Sequence, residues 1–212
     1  MRRADLGLAQ RSTRYYAAGV RRSYTLVPAL SARGIAFEAF FVAVTVALPL
    51  LSHALGWPGA VWLPMHWGVL AASIVVGPLA GAAIGLVAPL ANSLLTGLPP
   101  AVIVPAMTLE LAIYGFVPGF VLRRFGRTDR PAIGTALLVA AALLAGQLLG
   151  RLGFLAGILA SGTVGPALAL RNDPAAFIRS AFVPGLVAAL AQVVVLSFAF
   201  VAAYRGADRD GR

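Results

Sequence analysis

Cysteine and lysine are both absent from this 212-residue chain, acids number only seven, and charged residues make up 11% where about a quarter is usual. Without cysteine there is no disulfide framework, no thiolate nucleophile and no Cys-ligated zinc or iron–sulfur site. No G-x-x-x-x-G-K-[ST] run occurs, so nucleotide hydrolysis is not expected of this chain. H-E-x-x-H and Cys/His clusters are missing too, which leaves no metal site. Ser161, in ASGT, has no histidine after it, and His53 and His66 lie far upstream, so no nucleophile–base pair forms. The chain is therefore expected not to be an enzyme and to carry no cofactor of its own.

What is present is apolar. Hydrophobic residues make up 60% and the mean hydropathy is +0.88, which describes an all-α polytopic membrane protein. All 17 basic residues are arginine and the net charge is +10, a balance that in a soluble protein would suggest nucleic acid. These arginines sit between apolar blocks with no aromatic interleaving, so the expected partner is the lipid bilayer and not nucleic acid.

Residues 1–34 are polar, hold seven arginines and lack the apolar run of a signal peptide, so they read as a cytoplasmic tail. The apolar stretches predict spans at about 35–55, 65–76, 79–95, 101–122, 132–160 and 180–204, with a final cytoplasmic tail over 205–212. Gly77-Pro78 joins the second and third spans as a tight hairpin, and TGLPP turns the chain into the fourth. The fifth stretch exceeds what a bilayer requires and must be tilted, kinked or partly outside the hydrocarbon. Residues 161–179 read as a Gly/Pro-containing connection. Six spans place 14 of 17 arginines on one face, seven in the N-terminal tail, four in the 123–130 loop and three at the C-terminus. The positive-inside rule makes that face cytoplasmic, so both termini are expected inside, in a multi-pass protein of the plasma membrane.

Ionisable groups inside hydrocarbon cost several kcal/mol, so each needs a reason. Glu38 lies near the inner end of the first span, where Arg33 or headgroups can reach it. Glu110 sits nine residues into the fourth span, roughly 13 Å deep at 1.5 Å per residue, with Met107 and Tyr114 on its face. Arg151 shares a face with Gln147 in the fifth span, and Gln192 lies near the middle of the sixth. His66 and Asn92 fall toward the outer ends of the second and third. These groups converge at mid-depth or in the outer half, as in a solute pocket open to the outside. Three other readings stand beside it: Glu110 and Arg151 as a structural pair with Gln192 bonded to a neighbouring helix, His66 as an interfacial aromatic, and Asn92 as a helix cap. Ala39, Ala43 and Ala47 recur at four-residue spacing in the first span, a small-residue ridge that admits a partner helix, and Gly81/Gly85, Gly115/Gly119 and Gly146/Gly150 repeat the pattern.

The run LPMHWGVLAASIVVGPLAGAAIGLVAPLANSLLTGLPP over residues 63–100, followed by MTLELAIYGFVPG over 107–119, resembles the substrate-binding S component of energy-coupling factor (ECF) vitamin transporters. Gly150-Arg151 and FVPGLVAALAQ over 182–192 extend the resemblance, which covers about residues 35 to 203. It implies six helices with both termini inside, and a protein that captures a vitamin or related solute from outside. Delivery then depends on a transmembrane coupling protein and two cytoplasmic ATPases, which use the ATP. The resemblance also implies a coupling role for Ala39, Ala43 and Ala47, and a pocket built from outer loops and the later helices. On this reading the substrate contacts are His66, Asn92, Glu110, Tyr114, Arg151 and Gln192. Arg151 favours an anionic solute such as pantothenate or another carboxylate, on condition that Glu110 does not neutralise it. The long arginine-rich tail departs from the family pattern. An autonomous proton-coupled carrier or channel, with Glu110 as its proton site, is the alternative, and a membrane enzyme or assembly factor ranks after it for want of a nucleophile–base pair.

Overall fold

The computed structural model describes residues 31–127, 130–160, 162 and 164–209. The arginine-rich tail up to residue 30, Ser161 and residues 210–212 lie outside them. Nine α-helices form among the described residues: α1 (Ala32–Ala54), α2 (Gly59–Trp62), α3 (Pro64–Val75), α4 (Pro78–Thr96), α5 (Val104–Phe125), α6 (Ala132–Ala160), α7 (Val164–Asn172), α8 (Pro174–Phe182) and α9 (Leu186–Arg209). Five segments are long and apolar enough to cross a bilayer: Ala32–Ala54, Pro78–Thr96, Ala101–Phe125, Ala132–Ala160 and Leu186–Arg205. The chain is thus an all-α, multi-pass membrane protein, an architecture consistent with the plasma membrane.

Local chemistry sets the helix ends. Ser31 Oγ accepts the Gly34 N–H at 2.9 Å and caps α1. Proline stands in the first turn of α3, α4, α5 and α8, where its missing N–H costs nothing. Gly97, at φ 73°, closes α4 in the left-handed conformation that a glycine adopts without strain. Helix α9 continues to Arg209, past the expected end of the span at residue 204.

The expected second span, 65–76, forms as α3, Pro64–Val75, within a residue of its expected bounds. Residues 59–75 are apolar, but the helix breaks at Leu63, whose φ of 47° and ψ of 52° separate α2 from α3. The 12 residues of α3 reach about 18 Å, well short of a hydrocarbon core of about 30 Å. Instead of facing lipid, α3 is the centre of the bundle: Val69, Leu70 and Ala72 are fully buried between α1, α4 and α5. The 161–179 segment differs, because α7 and α8 form there. Asp173 Oδ1 accepts the Ala176 N–H at 2.9 Å, so Asp173-Pro174 starts a helix where a connection was expected.

Glycine sets how closely the central helices approach. A Cβ on Gly81 would collide with the Gly115 carbonyl, one on Gly115 with that of Gly81, and one on Gly85 with that of Leu111, so α4 and α5 meet backbone to backbone. Gly119 N–H donates to Ser73 Oγ at 2.9 Å and joins α5 to α3. Gly146 and Gly150 seat Pro118 and the Tyr114 ring of α5 against α6. These small-residue pairs serve packing inside the chain. Helix α6 runs 29 residues without a proline, about 43 Å, so tilt or protrusion absorbs its excess length.

Candidate functional site

A cavity of about 440 Å³ lies at one end of the bundle, where α1 ends, α3 and α5 begin, and α6 nears its end. Arg33, Arg123, Arg124, Arg127, Arg130 and Arg205 belong to the opposite ends of α1, α5, α6 and α9. The walls are mostly apolar: Leu63, Met65, Ile103, Met107 and Phe154, with Pro49, Pro64, Pro99 and Pro100. The polar members are His53, His66, Glu110, Arg151 and Ser180.

Three of the polar members form one cluster. Arg151 Nη1 donates to Glu110 Oε1 at 2.7 Å, with Glu110 1% exposed and the Arg151 side chain 19% exposed. Removal of either partner would strand a buried charge, which costs about 3–5 kcal/mol. His66 Nε2 stands 3.8 Å from the same Glu110 oxygen, too far for a hydrogen bond. His66 is 3% exposed, and neither ring nitrogen has a hydrogen-bond partner among the described residues. The Arg151 guanidinium also lies 4.8 Å from the centroid of the Phe182 ring and 6.0 Å from that of Tyr114. Phe154 meets Phe182 edge to face, so the far side of Arg151 is aromatic.

Of the six residues expected to contact solute, His66, Glu110 and Arg151 line the cavity. Tyr114 lies beside it: its ring fills the α5–α6 crossing at Gly150 and meets the His66 ring edge to face at 4.9 Å, with its hydroxyl unpartnered. Gln192 is fully buried, and its Nε2 donates to the Leu63 carbonyl at 3.4 Å, at the break between α2 and α3. Asn92 donates to the carbonyls of Ala88 and Thr45, at 3.0 and 3.5 Å, and so joins α4 to α1. Gln147, four residues before Arg151, donates to the Ala189 carbonyl at 3.1 Å and ties α6 to α9.

Residues not anticipated from the sequence complete the walls: His53, Leu98, Ile103, Phe154 and Ser180, with Phe182 behind Arg151. Most are apolar and resemble lipid-facing positions in a sequence. His53, a lone basic residue at the end of the first span, was the one available signal. Glu110 pairs with Arg151, the circumstance on which the expectation of an anionic solute depended.

Ala39, Ala43 and Ala47 are all exposed, on the side of α1 opposite the buried Phe41, Thr45 and Pro49. No family model, curated protein or solved structure matches the chain.

Proposed function

We propose that this protein is the substrate-binding membrane subunit of an ECF-type importer, which captures a vitamin or related small solute from outside. It hands the solute on with a transmembrane coupling protein and two cytoplasmic ATPases, which hydrolyse the ATP; the chain itself catalyses nothing. The observation that carries this reading is the cavity of about 440 Å³, mostly apolar, with the His66–Glu110–Arg151 cluster in its wall and set at the bundle end remote from the arginine-rich one. With the positive-inside rule, that placement supports a cavity open to the outside and both termini in the cytoplasm. The broken α2–α3 segment then counts as the sixth crossing element, short because α3 is wrapped by protein. The exposed Ala39, Ala43 and Ala47 supply a face on which a coupling helix can approach closely.

Reconstitution in proteoliposomes tests the reading. Uptake of the solute requires the coupling protein, both ATPases and ATP, whereas transport at full rate by this chain alone contradicts it. The second reading, a proton-coupled carrier, draws on the burial of Glu110 beside His66. Proton-driven flux by the isolated chain that is lost in Glu110→Gln would favour it. The bond from Arg151 weighs against it, because it already occupies Glu110 with a partner inside the chain.

A further inference from the structure

We infer that the cavity takes a solute whose polar end is electrically neutral and carries a hydrogen-bond donor beside an acceptor, such as an amide or cyclic urea, and not a free carboxylate or ammonium. The inference rests on the solute-binding reading above and specifies the chemistry of the ligand.

The argument begins with charge. Glu110 and Arg151 form a contact pair in a wall whose other polar members are His53, His66 and Ser180, so the carboxylate and guanidinium offset each other before any solute arrives. A solute of net charge would bring that charge into a low-dielectric cavity with no uncommitted counter-charge, at a large desolvation cost. A neutral head group avoids that cost.

Hydrogen-bonding capacity then selects among neutral groups. Arg151 has five N–H donors, and its one hydrogen bond to a described residue runs from Nη1 to Glu110. Glu110 accepts that bond on Oε1 alone. His66, more than nine-tenths buried and part of the cavity wall, offers two ring nitrogens without a partner. A neutral imidazole carries one donor and one acceptor. Unused donors and acceptors therefore stand side by side, within 4 Å of the same carboxylate oxygen. An amide edge answers both with its C=O and N–H, whereas a carboxylate only accepts and an ammonium only donates. The rest of the solute meets Phe154, Met107, Leu63 and the prolines, so it is apolar or aromatic.

The test uses three probes of nearly one shape and different charge: benzamide, benzoate and benzylamine, titrated calorimetrically into the detergent-solubilised full-length protein. Benzamide is expected to bind at least tenfold more tightly than either charged probe. In Glu110→Gln, Arg151 loses its counter-charge, and benzoate gains at least tenfold relative to benzamide; in Arg151→Gln, benzylamine gains in the same way. The reciprocal pair matters if one variant fails to fold, and the ranking on the native protein decides by itself. Benzoate or benzylamine binding the native protein as well as benzamide overturns this inference and leaves the solute-binding reading intact. Binding of none of the three, with no small molecule released on denaturation, overturns the reading on which it rests.

Discussion

The two halves of α5 behave in opposite ways. Its later half carries Gly115 and Gly119, and there α4 and α3 approach until backbone touches backbone. Its earlier half carries Met107 and Glu110; Gly85 still meets the Leu111 backbone there, but the neighbouring helices also leave a cavity of about 440 Å³. One helix thus joins a close-packed end, where nothing larger than hydrogen fits, to an open end lined by a buried ion pair. The difference teaches that rigidity and recognition are divided along the helix axis. The packed half fixes where α5 and α6 lie, and so holds Glu110 and Arg151 in register at 2.7 Å.

Breaking the ion pair on one side is the largest expected effect. Glu110→Ala should destabilise the protein by about 3–5 kcal/mol in thermal unfolding in micelles, because it strands Arg151. The double variant Glu110→Met with Arg151→Met should recover most of that loss while abolishing solute retention. Equal destabilisation by the single and double variants would show that the pair does not act as a unit.

At the packed end, Gly115→Ala should cost about 1–3 kcal/mol, since its Cβ meets the Gly81 carbonyl. Gly165→Ala in α7, where a Cβ meets nothing, should change stability by less than about 0.5 kcal/mol in the same assay. Gln192→Leu acts between the two regions. It removes a long hydrogen bond to Leu63, for about 0.5–1.5 kcal/mol, and should shift the fluorescence of Trp62 and Trp67 beside the α2–α3 break. Ala43→Leu, on the exposed side of α1, should leave stability within about 0.5 kcal/mol and solute binding intact, yet reduce ATP-dependent uptake with the partner subunits. Unchanged uptake would remove α1 from the proposed coupling surface.

The same contrast explains what the sequence disclosed. Long apolar runs predicted α1, α4, α5 and α6 to within a few residues, because hydropathy and proline or glycine punctuation mark where a helix enters and leaves lipid. Helical spacing put Met107 and Glu110 on one face, and both line the cavity. Spacing does not say which helix lies opposite, so it left Gln192 and Asn92 open between ligand contacts and bonds within the bundle, and in the structure both donate to backbone carbonyls. The second span was expected to begin at Met65, and the left-handed Leu63 stands just before the start of α3. Asp173-Pro174 was a helix start that glycine and charge nearby concealed.

The central claim is that the cavity holds a solute between Glu110, Arg151 and His66, and mass spectrometry of small molecules released from the purified protein tests it most directly. The native protein should release one compound in near-stoichiometric amount, and the Glu110→Met, Arg151→Met double variant, folded to a similar melting temperature, should release none. Release of the same compound in the same amount from both, or from neither, would contradict the account.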